Sequence, residues 1–99
     1  MKRVEFSPKA DNDLEKIGDY IAEDNPRRAV SFIQEIRERC RKLDAFPEAA
    51  PRFPELGDNA RILPHGNYVI LYNVLDDKVL IERVLNGARD ILSVIKDDG

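Results

Sequence analysis

The sequence holds one histidine, His65, one cysteine, Cys40, and no tryptophan among its 99 residues. A lone cysteine excludes an intramolecular disulfide. A lone histidine with no acidic pair at a familiar ligand spacing around it leaves no metal site to expect. Cys40 is expected to be a small apolar filler on a helix. Ser7, Ser31 and Ser93 have no histidine near them in sequence, which argues against a serine triad. The five glycines are scattered, so no loop is built to cradle phosphate and no cofactor is expected. No apolar run approaches bilayer length, and Met1-Lys2-Arg3-Val4-Glu5 lacks the apolar stretch of a secretory signal. A cytoplasmic location without membrane contact is therefore expected. Positive charge is not in excess either: the formal charge of −3 argues against broad nonspecific nucleic-acid binding, which needs a basic surface.

What is present suits one soluble domain over residues 1–99, with 42% hydrophobic and 35% charged residues, because a chain of this size buries one core and not two. Lys2 to Phe6 alternates polar and apolar residues and predicts a short half-buried strand. Ser7-Pro8 then announces a helix, the hydroxyl accepting from an orphan amide while proline takes the first helical position. Ala10, Leu14, Ile17 and Ile21 recur at helical spacing to about Asp24. Asn25-Pro26 repeats the device and starts a second helix, with Ala29, Phe32, Ile33, Ile36, Cys40 and Leu43 as its apolar stripe, ending at Phe46-Pro47. Two amphipathic helices joined this tightly predict an antiparallel hairpin.

Pro47, Pro51 and Pro54 remove amide donors and helical dihedrals from residues 47–58, which read as a link within the domain. Beyond it, residues 60–63, 68–75 and 79–85 are rich in β-branched and aromatic residues and predict a three-stranded antiparallel meander. The middle strand is largely apolar on both faces, so the helices are expected to cover one face and the carboxy-terminal segment or a partner part of the other. Gly87 is expected at a positive-φ turn. Asp90 to Lys96 predicts a short terminal helix with Asp90 as its cap. The core is expected to join Leu14, Ile17, Ile21, Phe32, Ile36 and Leu43 to Ile70 or Leu71. The fold class is α+β.

Charge is distributed unevenly. Residues 1–25 carry four Lys/Arg and seven Asp/Glu, whereas residues 26–42 carry six and two. Either the two helices complement each other, or the second offers a basic face to a partner. Asp13, Asp19, Glu23, Arg27, Arg28 and Arg37 are expected mainly outside the apolar stripes. On the sheet, Arg61, Arg83 and Arg89 are cations that can stabilise phosphate charge, with His65, Tyr68 or Tyr72 as the only proton-transfer groups nearby. The bland alternative is structural: salt bridges of Arg83 or Arg89 with Asp90 or Glu82, and tyrosines packed under helices rather than stacked on bases.

The order strand, helix hairpin, proline-rich link, meander and terminal helix resembles the RelE/ParE superfamily of toxins from type II toxin–antitoxin systems. The sharpest matches are Arg61-Ile62-Leu63-Pro64-His65-Gly66-Asn67-Tyr68-Val69-Ile70-Leu71-Tyr72 and Ile81-Glu82-Arg83-Val84-Leu85-Asn86-Gly87-Ala88-Arg89-Asp90, which look like the ParE branch. Ser7-Pro8-Lys9-Ala10 with Asp13-Leu14-Glu15-Lys16-Ile17 resembles the amino-terminal pattern of the same family. The resemblance implies a growth inhibitor held by a cognate antitoxin, in tight complex, with DNA contacted only through the antitoxin. RelE-like members cleave mRNA on the ribosome and ParE-like members poison DNA gyrase. RelE-like sites combine basic residues with a Tyr or His near the carboxy terminus. This chain has neither after Arg83, and Asn86 stands where many ParE-like sequences carry histidine. The expectation is a ParE-like toxin that binds gyrase and is not an enzyme. The alternatives are a RelE-like endoribonuclease using Arg61 and Arg83, or a degenerate member that only binds antitoxin. Arg27, Arg28, Arg37 and Arg41 are the expected antitoxin contacts, and Arg61, Arg83 and Arg89 the expected contacts for toxicity.

Overall fold

A computed structural model describes residues 2–87, 90, 91, 93 and 94. Strand β1 (Arg3–Phe6) leads into helix α1 (Pro8–Ala22) and helix α2 (Pro26–Arg41). A 3-10 turn at Lys42–Asp44 and another at Pro54–Leu56 punctuate the link, and β2 (Ala60–His65), β3 (Tyr68–Val74) and β4 (Lys78–Leu85) follow. Both helix starts form as their sequences dictate. The Ser7 side chain accepts from the Ala10 amide and the Asn25 side chain from the Arg28 amide, each with proline in the first turn behind it. The second helix stops at Arg41, earlier than the apolar stripe suggested, because its last turn tightens into the 3-10 turn that carries Leu43.

The four strands form one sheet in the order β1-β4-β3-β2. The predicted meander is present, β2 and β4 flanking β3 antiparallel. Its first hairpin turns on Gly66 and Asn67, where Gly66 takes φ 60 as the first loop residue. Strand β1 runs parallel to β4, with Phe6 opposite Ile81. It therefore covers only the first half of β4. A β-bulge interrupts the β3–β4 ladder between Leu71 and Tyr72, where Tyr72 pairs with Ile81 but Leu71 with Arg83.

The helices lie on one face of the sheet. Leu14, Ile17, Phe32, Ile36 and Leu43 share a buried cluster with Ile70, Tyr72, Val79, Ile81 and Val84, and Ile21 packs against its edge. Ile70 is thus the predicted strand partner, while Leu71 points to the opposite face. That face is not bare. Leu71 and Leu85 are buried by the chain itself, as is Ile91 after β4. Gly87 has φ 72, as a turn there requires. Asp90, Ile91, Ser93 and Val94 are helical; the rest of the expected Asp90–Lys96 helix lies outside the described residues. Asp90 does not start this helix, since Gly87 is already helical; its carboxylate instead reaches back from the first turn to accept from the Asn86 amide.

Candidate functional site

Where β1 ends, the second half of β4 loses its neighbour, and α1 supplies the missing partners. The Ser7 amide donates to the Ile81 carbonyl and the Ser7 hydroxyl to the Glu82 carbonyl at 2.8 Å. Six residues on, the Asp13 carboxylate accepts from the Val84 amide at 2.9 Å and from Arg83 through Nε at 2.8 Å and Nη2 at 3.0 Å. This bidentate pair is well sheltered, with the Asp13 side chain 11% exposed and Arg83 28%. Asp13 raises the Arg83 pKa above its ordinary value through that hydrogen bond. Sequence reasoning placed Asp13 on the solvated face and paired Arg83 with Asp90 or Glu82. Both expectations are corrected here. Asp13 stands three residues after Ala10 and four before Ile17, at the border of the buried stripe, and that spacing was the available signal.

An open cleft of about 360 Å³ lies over this pair, lined also by Lys16, Tyr68, Asn86, Asp90 and Ser93. Burial pushes the Tyr68 phenol up, so it stays protonated at neutral pH. Arg61 does not line the cleft. Its guanidinium donates to the Ala50 carbonyl at 2.6 Å, and the buried Tyr72 hydroxyl donates to the Pro47 carbonyl at 2.9 Å, so both side chains hold the proline-rich link against the sheet. His65 faces the other flank of α2, its ring against Phe32 and its Nε2 3.7 Å from Glu35. Arg89 lies outside the described residues. Among the described residues, then, the fold leaves Arg83 beside Tyr68 in the cleft and sets Arg61 and Tyr72 apart from it, while His65 is the cross-strand partner of Tyr68 and shares the Phe32 ring with it but does not line the cleft.

A second concavity, of about 890 Å³, runs along the outer side of the helix hairpin. Its floor is Leu14, Gly18, Ala22, Ala29, Val30 and Ile33, with Asp11, Glu15 and Asp19 along the α1 rim and Arg37 on the α2 rim. Val30 is 60% exposed. Gly18 keeps the floor low: a Cβ there would meet Ile33 at 3.5 Å, an ordinary contact, so only a larger side chain would fill the groove. Of the basic residues expected to face a partner, Arg37 lies 3.6 Å from Asp11 across the hairpin and over the Phe6 ring. Arg28 pairs with Glu35 and stacks over Phe32. Arg41 pairs with Glu38. Arg27 is exposed and, among the described residues, has no carboxylate within 4.0 Å.

A strand, a helix hairpin and an antiparallel meander with the hairpin on one face define the small α+β toxin fold. A chain of a structure titled "Chromosomal ParDE TA system from P. aeruginosa" shares it, with a TM-score of 0.76 at 22% identity, covering 89% of this chain and 98% of that one. The family described as "ParE toxin of type II toxin-antitoxin system, parDE" matches residues 4–91. The chain belongs to this ParE toxin family. Among curated proteins nothing matches. No helix of the described residues is long and apolar enough to cross a membrane, and no group of three or more His, Cys, Asp or Glu among them is placed to hold a metal.

Proposed function

We propose that this chain is a cytoplasmic toxin that arrests growth by binding DNA gyrase, without a hydrolytic step of its own, and that a cognate antitoxin neutralises it. The observation that carries the antitoxin half is the hairpin groove: an apolar floor left open between an acidic and a basic rim. An amphipathic segment can bury its apolar positions there while its acidic residues meet Arg37 on the rim and Arg27 beyond the end of the groove; Arg28 and Arg41, the other expected contacts, pair with Glu35 and Glu38 on the opposite flank of α2 and lie off the groove. DNA is then reached only through the antitoxin.

Membership of the ParE branch supports gyrase as the target, and the cleft supports action by binding. A cationic site for phosphoryl chemistry needs its guanidinium free and a base beside it. Arg83 is instead neutralised by Asp13, and Tyr68 stays protonated. Arg61, Arg83 and Arg89 remain the proposed target contacts, Arg83 through whatever part of it the cleft exposes. The test is to express the chain with and without its antitoxin and follow growth, gyrase-dependent DNA breaks and mRNA cleavage together. The expected outcome is arrest with DNA breaks and intact mRNA. Ribosome-dependent mRNA cleavage abolished by Arg83→Ala would replace this reading with a RelE-like endoribonuclease, and antitoxin binding without arrest would mark a degenerate member.

A further inference from the structure

Helix α2 has a second flank, facing β2, and the link just past the end of that helix carries the most exposed large apolar side chain described. Phe46 is 70% exposed. Its backbone is nevertheless fixed, the Phe46 amide donating to Lys42 and its carbonyl accepting from Ala49, while Leu43 and Ala50 on either side are buried. An aromatic ring held out to water on an ordered turn differs from one on a fraying loop, because the ordering entropy is already spent. The ring also does not stand alone. It borders one hollow of about 470 Å³ over Pro47 and Ala49 and another of about 400 Å³ over Ala49 and Leu63. The second shares Arg39 and Lys42 with a hollow of about 520 Å³ that reaches His65. The three make one shallow trough.

Charge supplies the second observation. Arg28, Arg37 and Arg41 each hold a carboxylate, whereas Arg39 and Lys42, beside Phe46, have none within 4.0 Å among the described residues. The carboxylates nearest along the trough, Glu35 and Glu38, are taken by Arg28 and Arg41, and Glu48 closes the far end. The middle is therefore an apolar ring flanked by two uncompensated cations. It lies across α2 from the hairpin groove, with Gln34 lining both at the crest between them.

We infer that this trough docks an acidic protein segment with an apolar anchor that belongs to the toxin's target and not to its antitoxin. The inference rests on the reading of the chain as a toxin, but not on gyrase being the target. An antitoxin seated in the hairpin groove leaves the trough uncovered. Its neutralising effect is then steric, since the two sites lie about one helix diameter, ~10 Å, apart and a large target would collide with it. The apolar anchor supplies affinity, and Arg39 and Lys42 select acidic neighbours.

The test uses the full chain with Phe46→Ser, and separately the double reversal Arg39→Glu with Lys42→Glu. All three residues are at the surface, so unchanged thermal unfolding is the folding control. Three quantities are read: affinity for the purified antitoxin, growth arrest without antitoxin, and inhibition of purified gyrase. Each variant is expected to lose about tenfold or more in growth arrest and in gyrase inhibition, with antitoxin affinity kept within about threefold. A parallel loss of antitoxin affinity assigns the trough to the antitoxin and overturns the inference. So does undiminished arrest in both variants, or a wild-type dimer that the variants break without loss of arrest. If the wild type arrests growth without touching gyrase and the variants lose arrest, the docking site stands and gyrase is the wrong target. A wild type that neither arrests growth nor inhibits gyrase overturns both.

Discussion

The Asp13 carboxylate accepts three hydrogen bonds from two consecutive residues of β4, and each would be unmet without it. Removing it strands a sheltered guanidinium and a strand amide together. Asp13→Ala should therefore cost about 2–4 kcal/mol, below the figure for a fully buried pair because Arg83 keeps some contact with water. Asp13→Asn keeps an acceptor for Val84 and should cost roughly half as much. Urea unfolding measures both, and a loss under ~0.5 kcal/mol for Asp13→Ala would show that the pair adds nothing to the fold. Cys40 offers a second check. It is fully buried, and burial pushes its thiol up to about 12 from an ordinary 9.0. The folded form therefore holds a proton that the unfolded form releases above pH 9.0. Its contribution is complete below that pH and is lost as pH rises towards about 12, at ~1.4 kcal/mol per pH unit. Burial pushes the Tyr72 phenol up as well, in the same direction. Urea midpoints measured from neutral to alkaline pH should fall, less steeply in Cys40→Ala; an equal slope in the two would clear the thiol of any part in it.

At the scale of elements, Ser7 belongs to both a helix and a sheet. Its hydroxyl accepts from Ala10 as the cap of α1 and donates to Glu82 where the sheet has lost β1. Ser7→Ala should cost about 1–2 kcal/mol, towards the upper end for a cap, because a strand carbonyl loses its donor as well. Ser7→Gly also removes the hydroxyl but leaves a residue that a cap position tolerates, so it should cost less than Ser7→Ala, the remainder being the lost Glu82 contact; a cost of only a few tenths in both would mean that water replaces the Glu82 contact without penalty. The cap itself was legible in Ser7-Pro8, as was Asn25-Pro26, because capping is settled within four residues. The strands were legible for the same reason, their alternation being local. The parallel placement of β1 against β4 was not, since Val4 and Phe6 declare a buried face but not a neighbour 75 residues away. The bulge at Leu71 and Tyr72 and the Asp13–Arg83 pair share that origin. Arg83 followed local habit in sequence, pointing to Glu82 or Asp90, while topology brought it a carboxylate from α1. Arg61 read as a cation for phosphate because nothing local showed that the link would fold back and offer it the Ala50 carbonyl.

At the scale of the molecule, α2 divides two surfaces: the hairpin groove towards α1 and the trough towards β2. The groove has an apolar floor and charged rims, which assigns affinity and rate to different residues. Long-range attraction acts before contact and is screened by salt, so cations on the rim and elsewhere on α2 govern association; apolar anchors act only after contact, so the floor governs dissociation. Reversing Arg27 and Arg28 together should slow association with the antitoxin several-fold at low salt, change dissociation less, and lose its effect near 1 M salt, where screening acts over ~3 Å. Arg28 also holds Glu35 and covers Phe32, so the double reversal mixes steering with a local rearrangement. Arg27→Glu alone separates them, because Arg27 has no ion pair among the described residues to disturb. Val30→Gln should do the opposite: an uncharged polar side chain on the exposed floor should speed dissociation about tenfold or more with little effect on association. Stopped-flow binding at several ionic strengths, with thermal unfolding as the control, reads all three. If Arg27→Glu leaves low-salt association unchanged, that arginine does not steer the antitoxin and its charge only solvates the helix. If Val30→Gln leaves dissociation unchanged, the antitoxin's anchors lie elsewhere and the groove is not its seat.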